Sequence, residues 1–358
     1  VKKILHAAVE NYAGVPYDFA RMHNECGDYS RLITQYPNIR GFTEDICLNF
    51  YVPRFPLASK WRTKKHNTTQ TVSNNKVPFF KPHNVIEKLY FSLSDIARQK
   101  AIHNLIHKEH LNEFDIIHYD GGMDFTRKPK QSLVWKKEGK KIVTCYYGSD
   151  LRSRGIIREL DEISDMRITS EYDHLQLMDN LNYVFYPYDT SELPTPVANT
   201  TSTIKIVHSP TNRQFKGTNG IISCINTLKK SFPIEFYLLE NMPRQQVLDI
   251  KKHCDICIDQ VGGSQGGTGY GKSGLETLAM EIPTITNMTN EYLQWIPENP
   301  FVIANSHKEL EEQLVFLIEN VDARKKIGLH GKKWVQTYHS FQSVNKRLYS
   351  LYEKHNII

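Results

Sequence analysis

The chain lacks the features that would mark it as a membrane-spanning, secreted or metal-clustered protein. No apolar run is long enough to cross a bilayer, and the Lys2-Lys3 opening leads into too few apolar residues for a secretory leader. Cysteine is scarce, six in 358 residues. Cys254 and Cys257 form a C-x-x-C without a second pair, and Cys257 falls in a predicted buried strand, which argues against zinc or redox use. His103, His107 and His110 are spaced for one helix face, but no fourth ligand accompanies them and no metal is expected. Unpaired thiols suit a reducing compartment, so a cytoplasmic location is expected, extending to the inner face of the membrane. The Asn-x-Thr triplets at Asn67, Asn199 and Asn287 are then expected to carry no glycan.

Charge of either sign is also modest: 45 Lys and Arg against 39 Asp and Glu give a net +6. Such a balance does not predict a nucleic-acid partner. The basic stretch Ser59–Lys65, SKWRTKK, is an exception, lying near Phe79, Phe80 and Lys81 around Trp61. A basic, aromatic loop fits an anionic membrane surface, a lipid-linked acceptor or an acidic polymer; a solvated loop is the plainer reading.

Glycine is concentrated rather than abundant, with seven of the chain's 19 between Gly262 and Gly274. They join an apolar strand to a helix that opens near Ser273. A strand feeding a glycine loop that ends at a helix N-terminus suits a phosphate, because backbone N–H groups and the positive end of the helix dipole converge there. Three patterns overlap in the loop. Gly266, Gly271, Lys272 and Ser273 fit the P-loop spacing, and Gly269, Gly271 and Gly274 fit the dinucleotide spacing. A P-loop needs a downstream strand ending in a magnesium-binding Asp, and the following strand ends in Asn287 and Met288. The dinucleotide motif belongs in the first βα turn of its domain, with an acid ending the next strand. Ser273 and Glu276 are also spaced as a capping box, a purely structural alternative.

The third pattern is a family likeness. Thr268-Gly269-Tyr270-Gly271-Lys272-Ser273-Gly274-Leu275-Glu276, continued by Thr277 to Ile285, resembles the donor-site signature of retaining glycosyltransferases of the GT-B fold, group 1 or family-four class. The resemblance implies that Glu276 binds the ribose of a nucleotide-sugar, and that the backbone of Gly271, Lys272, Ser273, Gly274 and Leu275 holds its diphosphate. Thr268 replaces the family's first acid. Ile204–Thr218 resembles the first strand-loop-helix of the family's nucleotide domain, which makes Lys216 the expected cation for the diphosphate. Thr211 stands where the family has Arg, and Arg213 is a second candidate. In the first half, Gly14 occupies the place of a glycine that approaches the donor phosphates, and Tyr147-Gly148 replaces the family's His-Gly.

Apolar strands that end in polar residues place His118, Asp120, Tyr147, Gly148 and Asp150 beyond carboxyl ends of a sheet, where ligands collect. Asp120, Asp150 and Tyr147 are candidates for positioning sugar or acceptor. Alternation of strands and helices predicts two doubly wound Rossmann-like α/β domains, which the resemblance sets facing a cleft. Strands are expected near residues 4–9, 31–36, 46–52, 115–120, 141–147, 166–170 and 183–187, then 204–208, 234–240, 255–261, 283–287 and 301–304. The first domain is assigned to 1–188 and the nucleotide-binding domain to 189–335, with 336–358 expected to pack back on the first.

The activity implied is transfer of a sugar from a nucleoside-diphosphate sugar to a hydroxyl acceptor with retention, in cell-surface glycan or glycoconjugate synthesis. The nucleotide-sugar is a co-substrate, and no resident cofactor or metal is expected. A sugar-nucleotide epimerase of the same fold and a non-catalytic nucleotide-sugar-binding protein remain alternatives.

Overall fold

A computed structural model describes residues 1–38, 41–51, 77, 79–82, 84–191, 193–262 and 269–358. The chain divides into two compact units, Val1–Pro187 with Phe341–Ile358, and Tyr188–Ser340.

The first unit is built on seven parallel strands: β1 Lys3–Ala8, β2 Tyr29–Thr34, β3 Ile46–Cys47, β4 Ile116–Asp120, β5 Lys141–Tyr146, β6 Met166–Thr169 and β7 Asn182–Tyr183. Their order is β3-β2-β1-β4-β5-β6-β7. β1 and β4 are buried along almost their whole length, as expected of central strands covered on both faces. The connecting helices are α1 Val15–Glu25, α2 Val85–Lys108, α3 Lys130–Lys137, α4 Arg158–Ile163 and α5 His174–Leu177. Leu5, Ile33, Ile106, Ile117 and Trp135 belong to the core that α2 and α3 share with the sheet.

The second unit has five parallel strands, β8 Ile204–His208, β9 Ile234–Leu238, β10 Ile256–Ile258, β11 Thr284–Thr286 and β12 Val302–Ile303. The order is β12-β11-β10-β8-β9. Its helices are α6 Arg213–Lys216, α7 Thr218–Leu228, α8 Arg244–Lys251, α9 Lys272–Ala279, α10 Asn290–Trp295, α11 His307–Glu319 and α12 Val321–Tyr338. A last helix, α13 Phe341–Lys354, belongs to the first unit. Residues 336–340 stay with the second unit, because the aromatic cluster of Tyr270, Phe301, Trp334 and His339 holds them there.

All twelve expected strands form, most of them shorter than their apolar runs. Each sheet reverses its strand order once, between β1 and β4 and between β8 and β10. These are the switch points where diverging loops open a crevice beyond the strand ends.

Candidate functional site

In the second unit, the residues around the β8/β10 switch point converge on one carboxylate. Asp259 follows β10 and is 3% exposed. Its Oδ1 accepts from the Lys216 ammonium at 2.9 Å, and its Oδ2 accepts from the Gly271 amide at 3.0 Å. Gln260 Oε1 takes a second Lys216 proton at 3.0 Å. Lys216 ends α6, whose cap Asn212 accepts from the Gln214 and Phe215 amides. Asp259 thus sets a cation and a loop against each other at the start of α9.

Glu276 lies one turn into α9, also buried. The fully buried Lys251 ammonium donates to Glu276 Oε2 at 2.7 Å and to Ser273 Oγ at 2.9 Å, and Arg244 Nε donates to Glu276 Oε1 at 3.2 Å. Burial pushes the Glu276 carboxyl up, but Lys251 and Arg244 outweigh it and hold the group below its ordinary value. The site therefore presents a fixed carboxylate whose charge is balanced from behind by Lys251 and from the side by Arg244.

The capping-box alternative does not describe this helix. α9 starts at Lys272 with Gly271 as its N-cap, and no side chain caps it. Ser273 Oγ instead meets Ser209 Oγ at 2.8 Å, joining the β8 turn to α9. The Gly274 and Leu275 amides turn back onto the Gly271 carbonyl at 3.0 and 3.3 Å, so these two nominated phosphate donors are engaged within the helix. Lys272 places its ammonium 5.7 Å from the Tyr188 ring centre. Gly269 takes φ +109, and a Cβ there would stand 2.3 Å from the Tyr292 ring.

Arg213 is not part of the Lys216 cluster. Its guanidinium makes a two-pronged pair with Glu240, at 2.9 and 2.6 Å, on the exposed side of the β8 and β9 ends. Thr268, Gly266 and the basic stretch Ser59–Lys65 lie outside the described residues.

In the first unit, Asp120 ends β4, directly opposite Ala8 at the end of β1. Its Oδ1 accepts from the Tyr147 hydroxyl at 2.7 Å, and Oδ2 meets His6 Nδ1 at 2.8 Å. Burial pushes the Asp120 carboxyl up to about 6. Asp150 opens a single π-helical turn, Asp150–Arg154, accepts from the Tyr147 amide at 3.0 Å, and pairs with Arg154 at 3.0 Å. Burial raises its carboxyl as well. Tyr147 therefore joins the two acids, one through its side chain and one through its backbone. Gly14 adopts φ 75 as the N-cap of α1, and its amide donates to the Asn11 carbonyl at 3.2 Å.

His118 is not at the strand end where it was expected to face ligand. It is wholly buried, with Nε2 on the Tyr352 hydroxyl of α13 at 2.5 Å and Nδ1 against Cys145 Sγ at 3.4 Å.

Asp259, Lys251 and Arg244 escaped the sequence reading. Asp259 carried a usable signal, an acid at the carboxyl end of an apolar strand beside the glycine loop. Lys251 gave almost none: a lysine three residues after Leu248 reads as a solvated end of a helix until Glu276 is found beneath it.

The sequence matches no family model and no curated protein. Solved structures do match, and they define the fold: two parallel α/β units of the GT-B type found in retaining glycosyltransferases. HepE of Anabaena in complex with UDP superposes with a TM-score of 0.59 at 9% identity, covering 99% of this chain and 100% of that one. The catalytic domain of starch synthase IV from Arabidopsis thaliana, bound to ADP and acarbose, gives 0.62 at 12% identity, covering 99% of each chain. A variant of TarM from S. aureus with fondaparinux, alpha-GlcNAc-glycerol and UDP gives 0.58 at 10% identity, covering 98% of this chain and 100% of that one. At these identities the likeness is one of fold. No described helix is long and apolar enough to cross a membrane.

Proposed function

We propose that this protein is a retaining glycosyltransferase that moves a sugar from a nucleoside-diphosphate sugar to a hydroxyl acceptor, in cell-surface glycan or glycoconjugate synthesis. The observation that carries the reading is the Lys216–Asp259–Gly271 cluster at the switch point of the second unit, with Glu276 one turn further along α9. UDP in HepE and ADP in starch synthase IV, each on the same fold, support a nucleotide ligand.

Departure of a nucleoside diphosphate puts negative charge on the leaving phosphate, and a preorganised cation there lowers the barrier. An ammonium has three donors. Two Lys216 protons go to Asp259 and Gln260, and the third is assigned to a donor phosphate. The positive end of the α9 dipole adds to the same field. Glu276 would accept from the ribose hydroxyls, its charge and orientation set by Lys251 and Arg244.

Asp120, Tyr147 and Asp150 are assigned to positioning in the first unit, where one tyrosine fixes both carboxylates. In the mechanism that the family likeness implies, the acceptor hydroxyl is assisted by the leaving phosphate on the same face of the sugar. No carboxylate nucleophile is then required.

Calorimetry against UDP, GDP, ADP and TDP, followed by NMR of the product's anomeric proton, tests the reading. One nucleotide should bind, Glu276→Ala should weaken it, and the product should keep the donor's configuration. Failure of every nucleotide to bind, or identical affinity in Glu276→Ala, would sink the assignment. Isomerisation of the donor without acceptor would assign an epimerase, and binding without turnover a binding protein.

A further inference from the structure

The first half of α2 is apolar on both sides. Phe91 faces the core of the first unit. On the outer side Val85, Ile86, Leu89, Tyr90, Leu93 and Ile96 are between 47% and 81% exposed. Their spacing follows one helix face for about 17 Å, at 1.5 Å per residue. Single exposed apolar residues are ordinary, but a contiguous stripe of six marks an interaction surface.

The charges on this helix are sorted by sign. Its acids Glu87 and Asp95 are buried, and the exposed charged residues among Val85–Lys108 are Lys88, Lys100 and Lys108. Arg127 lies close enough to Asp95 to feel its charge, and its guanidinium stacks 3.7 Å from the Phe91 ring centre. The outward face is therefore apolar and cationic with no carboxylate. A second copy docking there would set lysines against lysines, whereas a sheet of anionic headgroups supplies the missing charge.

We propose that this face of α2 docks on an anionic lipid bilayer. Ile86, Leu89, Leu93 and Ile96 enter the boundary between headgroups and acyl chains, with the helix lying in the plane of the surface. Lys88 and Lys100 extend along the apolar side chains to reach lipid phosphates, and Tyr90 keeps its hydroxyl at headgroup depth. The surface is independent of the nucleotide reading and uses none of its residues.

Co-sedimentation of the whole chain with phosphatidylcholine vesicles, with and without phosphatidylserine, at low and high salt, provides the test. Binding should favour the anionic vesicles by roughly ten- to thirty-fold and weaken with salt, as expected for two lysines at a charged surface. Ile86→Asp with Leu93→Asp should abolish pelleting while leaving the thermal midpoint unchanged, since both positions are exposed. Lys88→Ala with Lys100→Ala should remove the preference for anionic lipid and its salt dependence. The proposal is overturned by absence of pelleting with either vesicle, by pelleting that both double variants leave intact, or by a dimer that Ile86→Asp with Leu93→Asp dissolves without any affinity for lipid.

Discussion

Asp259 holds the Lys216 ammonium through one oxygen and the Gly271 amide through the other. An amide in its place keeps the shape but loses the charge that fixes the lysine, and it offers one acceptor instead of two. Asp259→Asn is therefore expected to lower kcat/KM for the donor by about tenfold, or 1.4 kcal/mol. Lys216→Ala removes the cation itself and should cost about a hundredfold in kcat, the scale of losing one charge-stabilising donor. Nucleoside binding should change less in both. Steady-state kinetics with the donor identified by calorimetry separates the two; equal effects on KM alone would place the pair outside the transition state.

Asp120 gives a pH signature at the same scale. Its folded-state pKa is raised to about 6 by burial, so its contribution to stability is present at low pH and fades as pH rises from about 4 through 6. In the folded protein the carboxylate that would orient a sugar or acceptor forms as pH rises through about 6, and activity should fall on the acid side of that value. Tyr147 donates to Asp120 and favours its ionised form. Tyr147→Phe should thus move the acid limb to higher pH by somewhat under one unit, the equivalent of a hydrogen bond worth about 1 kcal/mol. A pH–rate profile whose acid limb stays in place would remove Asp120 from the working set.

Among elements, the spacing Ser-x-x-Glu has opposite outcomes at the starts of two helices, α11 and α9. At Ser306 and Glu309 it caps the helix: Ser306 Oγ accepts from the Glu309 amide at 3.2 Å, and the Glu309 carboxylate accepts from the amide of Asn305, one residue before the cap, at 2.8 Å. At Ser273 and Glu276 the same letters sit two positions deeper, behind a Gly271 cap, and Lys251 pulls both side chains toward α8. Local pattern alone could not separate these cases, because the deciding partner is 22 residues away from Ser273 and on another helix. The strands, by contrast, were legible. Runs such as Phe114–Asp120 and Ile204–His208 carry their own signal, an apolar stretch stopped by polar residues. Of the candidate site, the helix start at Gly271 could be read from the glycine loop and Lys216 was offered by the family likeness, whereas the tertiary pairs Lys216–Asp259 and Lys251–Glu276 were hidden.

The α8–α9 clasp predicts a dissociation of stability from binding. Lys251→Ala leaves a buried carboxylate with one partner, Arg244, and should cost about 3 kcal/mol. Replacing both members, Lys251→Met with Glu276→Leu, removes the unpaired charge and should recover most of that stability while donor affinity stays lost. Urea titration with parallel calorimetry reads both quantities. Recovery of affinity along with stability would deny Glu276 any contact with ligand.

For the molecule as a whole, the instructive segment is α13, which leaves the second unit at Ser340 and completes the core of the first. Phe341, Val344, Leu348, Leu351 and Tyr352 are buried in it, and Tyr349 donates to Asp28 while the Tyr352 hydroxyl meets His118. At about 1.5–3 kcal/mol for each buried apolar side chain, the helix contributes on the order of 10 kcal/mol, comparable to the whole stability of a domain. Ending the chain after Ser340 should therefore unfold the first unit, while the five-stranded unit keeps the core that Ile206, Ile225, Ile258, Ile285 and Leu314 form around its own sheet. Hydrogen exchange read by mass spectrometry should show protection lost across β1, β4 and β5 and retained across β8 and β10. The milder Tyr352→Phe leaves His118 Nε2 unpartnered in the core and should cost about 1–3 kcal/mol, lowering the first unit's transition alone. Nucleotide should still raise the remaining transition of the truncated chain if Lys216, Asp259 and Glu276 are the residues that hold it, because binding to the folded form alone stabilises by mass action. A truncated chain that loses protection in both sheets together would make the two units one cooperative body.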